Sequence, residues 1–420
     1  MNEASATNGR GRITASPDPL TWDARVRLTL SWETSPPQPA EIFVSENQDA
    51  EKLVGHGESG SCELDWIRSG TDYEFRLYST GQARGKLDTV TVRRSAIPWR
   101  SLLSTVSAVE RQPNEEGDEM AEFIAGTISR YLRDPRFPDW FRLWEAHGFH
   151  VTPVHFYEPI PDTRSLDKEL WERTQELVAV DMNRGVQLDL LSNVFPQFQP
   201  EFEAIPRNRE EAEGGFFVNN GRFERLDPVI AYSMVRHFRP SRIIEIGGGY
   251  STLLLAMAGQ KNGNTFLTCI EPYPDDFLRN DVPGLEALLP KKVEDVELSF
   301  FERLKAGDLL FIDSSHVLRI GGDVNFLFQE ILPRLNPGVI VHLHDIFLPL
   351  EYPWKWVMER HRFWTEQYLL QAFLSFNAEF EVLLGVGYLE ACCNEELNAV
   401  FPDPPSPAGG SFWMRRRPRA

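Results

Sequence analysis

The stretch Arg242-Ile243-Ile244-Glu245-Ile246-Gly247-Gly248-Gly249-Tyr250-Ser251-Thr252 constrains this chain's fold more than any other. A short apolar run ends in three consecutive glycines and meets a helix start at Ser251. Glycines there let the backbone turn sharply and let a ligand approach the main chain. Strand, glycine turn and helix make the first half of a βαβ unit, whose next parallel strand requires a crossover. The following residues alternate accordingly. Strands are predicted at 242–246, 265–270, 291–293, 309–312, 339–342 and 380–384, with helices at 251–258 and 323–335 among them. Residues 411–415 read as a last strand, which makes 402–410 a loop. The pattern predicts an α/β fold: a Rossmann-like, doubly wound, mostly parallel sheet with helices on both faces.

The N-terminal part has another texture. Residues 1–12 are small and polar and read as a disordered tail. From 13 to 95 the chain is β-patterned, with about seven short strands punctuated by Pro36, Pro37 and glycines 55, 57 and 60, as in an all-β sandwich. Trp32 on an early strand and Tyr73 opening a Tyr-x-Phe-Arg-Leu-Tyr strand resemble a fibronectin type III or immunoglobulin-like domain. The resemblance makes Trp32 the core indole and Tyr73 a tyrosine corner; packing alone explains both equally. Residues 96–225 read as a helical connecting region and lid, with helical periodicity at 120–132, 140–146 and 167–178. A segment from His155 to Asp162 cannot be a helix interior, because Pro159 and Pro161 remove donors. The fourth domain is then 226–420.

Lysine and arginine total 43 against 62 aspartates and glutamates, a net charge of −19. Such a field repels a phosphate backbone, so nucleic acid is not an expected partner, and the basic end Arg415–Arg419 reads as a solvated terminus. Four cysteines (62, 269, 392, 393) lack metal-ligand spacing. There is no apolar leader and no run of about 18 apolar residues, so the expectation is a cytoplasmic chain with no membrane contact. A homo-oligomer is left open.

Two details of the glycine turn separate ligand classes. A dinucleotide fingerprint wants a third glycine where Thr252 stands. Glu245, two residues before Gly247, suits a ligand with ammonium or sulfonium charge better than a pyrophosphate. The run Glu-Ile-Gly-Gly-Gly-Tyr-Ser-Thr resembles the first motif of class I S-adenosylmethionine-dependent methyltransferases. Later motifs follow in that family's order over roughly 227–416. The resemblance implies that Glu245, Gly247, Gly248, Gly249 and Ser251 border the cofactor, and that Glu271 holds its ribose hydroxyls. It also implies that Asp295 and Val296 contact adenine and that Asp313 closes the site. A terminal aromatic hairpin is also family-like. Residues 155–162 and Asn220-Gly221-Arg222-Phe223 resemble the upstream part of one bacterial branch. Taken alone, Glu271 could be a solvated strand-end carboxylate, Asp295 a helix cap and Gly248 a mere turn residue.

Methyl transfer from a sulfonium is an in-line displacement that needs alignment, exclusion of water and often removal of the acceptor's proton. The catalytic candidates are His316, His344 and Asp313, at the ends of the fourth and fifth strands; His342 lies deeper. The other route to a hydroxylate is a divalent ion, Mg2+ or Mn2+, held by Asp313, His344 and Asp345, as the resemblance to catechol-type enzymes implies. An oxygen acceptor on a small molecule, sugar or glycan is expected, with His155-Phe156-Tyr157, Trp354 and Trp356 as stacking candidates. The rivals are a nicotinamide oxidoreductase, which Tyr352 and Lys355 at a spacing of three fit poorly, and a non-catalytic binding or scaffold protein.

Overall fold

In a computed structural model, residues 10–16, 28–46, 50–64, 67, 72–80, 84–93, 121–122, 124–129 and 137–417 are described. The chain divides into two compact units, 1–151 and 152–420. Among the described residues no helix is long and apolar enough to cross a membrane.

Among the described residues the first unit carries seven strands: β1 (Arg10–Ser16), β2 (Leu28–Ser35), β3 (Ala40–Glu46), β4 (Lys52–His56), β5 (Ser59–Leu64), β6 (Asp72–Ser79) and β7 (Lys86–Arg93). They form an antiparallel three-stranded sheet, β1-β2-β5, and a four-stranded one, β4-β3-β6-β7. Strands β2 and β6 alternate buried and open positions along their length, so each sheet offers one apolar face. Leu28, Leu30 and Trp32 of one sheet share a core with Ile42, Tyr73, Phe75 and Leu77 of the other. The strand β1 begins inside the expected tail, and residues 1–9 of that tail lie outside the described residues. Helix follows at 121–122 and 124–129 and at Phe137–Ala146, the rest of 120–132 being outside as well.

The second unit is mixed α/β around a seven-stranded sheet. Its strands are β8 (Arg242–Ile246), β9 (Phe266–Ile270), β10 (Leu285–Leu289), β11 (Leu309–Ile312), β12 (Ile340–Leu343), β13 (Phe380–Gly385) and β14 (Phe412–Arg416). The spatial order is β10-β9-β8-β11-β12-β14-β13. Strands β8 to β12 pair in parallel, and β14 runs antiparallel between β12 and β13. Successive residues of the central strands enter opposite cores. Ile243, Leu309 and Phe311 pack on one face, Ile244, Ile246, Leu310 and Ile312 on the other. Burial on both faces is why these strands read as unbroken apolar runs.

Three expectations are corrected. The third strand lies at Leu285–Leu289, and Val293–Asp295, partly expected as that strand, is a single 3-10 turn. The predicted helix at 167–178 shrinks to Glu169–Glu172. Strands β13 and β14 pair, but the helices Val386–Cys392 and Asn394–Val400 connect them, so they are not a hairpin.

Candidate functional site

Strand order reverses at β8: β9 and β10 lie to one side, β11 and β12 to the other. An open α/β sheet leaves a crevice at such a point, outside the carboxyl ends of the strands. The glycine turn sits there. Gly247 has φ +83°, and a Cβ on it would overlap the Asp313 carbonyl oxygen that ends β11. A Cβ on Gly248 would run into the Cys269 sulfur, so this glycine has a packing reason of its own. A Cβ on Gly249 would meet nothing within 4 Å, so this glycine faces open space at the start of the helix Tyr250–Asn262. Its amide donates to Thr252 Oγ1 (3.1 Å), so the residue that breaks the dinucleotide pattern ties the turn to the helix.

Glu245 is fully buried beneath the turn. Ser251 Oγ donates to its Oε1 (2.7 Å), and its Oε2 has no partner among the described residues. Burial pushes its carboxyl up to about 8 against the pull of the Thr252 and Ser251 hydroxyls. Near neutral pH, with no ligand beside it, the buried carboxyl favours the uncharged acid. Glu271, at the end of β9, is half-buried, with Oε2 accepting from the Gly248 amide (3.1 Å) and Oε1 from the Tyr273 amide (2.7 Å). Those bonds fix the carboxylate at the crevice rim and leave lone pairs for further donors. Asp295 is exposed on its 3-10 turn, and Val296 beside it is half-buried against the core.

The ends of β11 and β12 bring a second group together. Asp313, His316 and Asp345 offer one oxygen, one nitrogen and one oxygen within 4.8 Å of one another. His316 Nε2 lies 3.2 Å from Asp313 Oδ1 and 3.7 Å from Asp345 Oδ2. His316 and Asp345 both take left-handed backbone conformations, φ +60° and +57°, uncommon for residues other than glycine. Behind His316, Glu366 is buried, with Oε2 2.9 Å from Nδ1. Ser314 Oγ donates to the same carboxylate, and the Thr365 and Glu366 amides donate to the His316 carbonyl. Burial opposes charge on His316, but Asp313 and Glu366 outweigh it and raise the imidazole well above its ordinary value. At Asp313 burial likewise favours the neutral acid, yet His344 and His316 hold it below the usual carboxylate range. At Asp345 burial prevails and the carboxyl is raised.

His344 stands outside the triplet. Its Nε2 is 3.7 Å from Asp345 Oδ1, its Nδ1 has no partner among the described residues, and its ring lies beside Phe223. Where Asp313, His344 and Asp345 were expected to converge, the side chains that come within 4.8 Å of one another are Asp313, His316 and Asp345. His342 is fully buried against Phe311 and Trp413, and burial lowers it well below its ordinary value. Tyr352, the oxidoreductase candidate, has its hydroxyl occupied by the Gln367 amide (3.0 Å). Two supports had no signal in the sequence. Glu366 lies 50 residues after His316. Asp227 takes the Gly410 and Ser411 amides (3.0 and 2.8 Å) and thereby seats the loop whose Gly410 packs on the Asp345 backbone.

A family model described as a methyltransferase domain matches residues 244–346, from β8 to just past Asp345. An uncharacterized protein of Archaeoglobus fulgidus is 34% identical over 162 residues, covering 36% of this chain and 73% of its own length. A crystal structure of an O-methyltransferase from Bacillus cereus in complex with SAH is 16% identical, with a TM-score of 0.27, covering 53% of this chain and 88% of that one. The chain therefore belongs to the family of the archaeal protein, and its residues 244–346 form a methyltransferase domain.

Proposed function

We propose that the chain is an O-methyltransferase acting on a hydroxyl of a small molecule or sugar. The observation that carries this reading is the convergence of Asp313, His316 and Asp345 at the ends of the fourth and fifth strands. Two carboxylates and an imidazole suit a divalent ion, and the imidazole favours Mn2+ over Mg2+. Such an ion, held by these three residues, would polarise the acceptor hydroxyl and lower its pKa. The cofactor fits the crevice by its residues: Gly249 opens onto free space, and Glu271 presents a fixed carboxylate suited to vicinal hydroxyls. Bound there, S-adenosylmethionine supplies an electrophilic methyl group.

The chain's own residues do the rest. Gly247 lets the turn close on the end of β11, and Gly248 lets it close on Cys269 of β9. With Glu366 bound to Nδ1, His316 keeps that proton; its Nε2, turned toward Asp313, would present a lone pair to an ion or to the acceptor's proton only after giving up its own proton. Asp313 spans both groups: its amide continues the ladder from Ile246, and its carboxylate faces His316. Holding donor and acceptor in line can supply several kcal/mol of the barrier.

The first unit, with its β1-β2-β5 and β4-β3-β6-β7 sheets around Trp32 and Tyr73, we read as a fibronectin type III-like module on residues 13–95, followed by the connecting region 96–225 and the catalytic domain 226–420. The test of function is methyl transfer from labelled S-adenosylmethionine to a panel of hydroxylated sugars and phenols, after EDTA treatment and after adding back Mn2+ or Mg2+. Transfer to oxygen that Asp313→Ala and His316→Ala abolish supports the reading; transfer confined to nitrogen or sulfur acceptors overturns it.

A further inference from the structure

We propose that the cavity behind the Asp313–His316–Asp345 triplet receives a single-ring hydroxylated acceptor carrying an oxyanion, a carboxylate or phosphate ester, and that Arg362 binds this oxyanion. The proposal rests on the O-methyltransferase reading and names its acceptor class.

The cavity has a volume of about 270 Å3, and its walls include Pro161, Trp171, Tyr352 and Trp364. Proline and aromatic faces of this kind receive one flat or chair-shaped ring. The cavity shares a wall with the triplet. Trp364 lines it and also lies with its ring centroid 4.3 Å from that of His316, and the next residue, Thr365, donates its amide to the His316 carbonyl.

Two charged residues also line it, and only one has donors to spare. Glu351 is held through one oxygen: its Oε1 accepts from the Tyr368 hydroxyl (2.5 Å), the Gln367 side-chain amide (3.1 Å) and the Tyr352 backbone amide (2.8 Å). Arg362 is half-buried, with its guanidinium 5.1 Å from the Trp356 ring and 5.0 Å from the Trp364 ring. Those two faces hold the guanidinium without taking up its N–H groups. Among the described residues no carboxylate lies within 4.0 Å of it, and its side chain makes no hydrogen bond. A fixed planar fork of free donors at an aromatic cavity matches a carboxylate or phosphate in two-point contact.

The full chain is titrated calorimetrically with 4-hydroxybenzoate, glucuronate and galactose 1-phosphate, each against its neutral counterpart: 4-hydroxybenzyl alcohol, glucose and galactose. At least one acid should bind about 10- to 100-fold more tightly than its neutral counterpart, as a charged hydrogen-bonded pair warrants. Arg362→Gln should erase that preference, and Arg362→Lys, which keeps the charge and loses the fork, should retain part of it. No preference for any acid, or one that survives Arg362→Gln, overturns the proposal. If Arg362→Gln fails to fold, the wild-type comparison and the lysine variant still decide. A parallel titration with S-adenosylmethionine keeps the two readings apart: its failure removes the methyltransferase reading, whereas the acid preference is measured independently.

Discussion

Replacing Glu245 by glutamine should change how stability depends on pH far more than it changes stability at low pH. The carboxyl is fully buried, one oxygen lacks a partner, and burial moves it from 4.5 to about 8. Below about pH 4.5 it is protonated in folded and unfolded chains alike, so its contribution to stability is fully present. Between 4.5 and 8 only the unfolded chain releases the proton, so stability falls as pH rises, and above about 8 the loss is complete. At about 1.4 kcal/mol per pH unit the whole window is worth about 5 kcal/mol. Glutamine has the shape of the protonated acid and does not titrate, so it removes this slope. Thermal scans of both proteins from pH 5 to 8 supply the assay. The melting temperatures should nearly coincide at pH 5. By pH 8 the variant should melt roughly 8–16 °C above the wild type, taking 2–4 °C per kcal/mol for a unit of this size. Parallel profiles, with a constant offset across the range, would refute a neutral buried Glu245.

The other predictions concern the turn, the rim and the triplet. Gly247→Ala places a methyl group on the Asp313 carbonyl at a positive φ; it should cost about 2 kcal/mol or more and abolish S-adenosylmethionine binding, read by melting and calorimetry. Glu271→Ala removes the acceptor of the Gly248 and Tyr273 amides; cofactor affinity should drop about tenfold or more, and unchanged affinity would exclude this carboxylate from the site. Glu366→Gln removes the buried negative charge that supports His316 Nδ1; Mn2+ affinity, followed by the ion's paramagnetic resonance signal, should fall about 10- to 100-fold. An unaltered Mn2+ titration would sink the role given to Glu366.

What the sequence disclosed about this fold follows from how local each cause is. The turn after β8 was legible because its causes are contiguous: a strand buried on both faces, three glycines, and a helix start. The third strand was misplaced because Leu-Glu-Ala-Leu-Leu at 285–289 has no β-branched residue, while Lys291–Val293 imitates a strand end. Pairing with β9 overrides that weak propensity. That Asp313 and Asp345 follow the ends of β11 and β12 was legible because strand ends are readable. That His316 rather than His344 lies closest to both was not, because it depends on a left-handed turn at His316 and on Glu366, which arrives from the start of the helix Glu366–Leu374. Asp227 escaped for the same reason, since its partners Gly410 and Ser411 lie more than 180 residues away.

The most direct measurement is a calorimetric titration of EDTA-treated protein with S-adenosylmethionine, with NAD+ as control, repeated after adding Mg2+ or Mn2+. The account predicts micromolar binding of S-adenosylmethionine and none of NAD+, with or without the ion, because the crevice is built by the turn after β8 and by Glu271, and shares only Asp313 with the triplet. Failure of S-adenosylmethionine to bind under every condition, by protein shown to be folded, would contradict it.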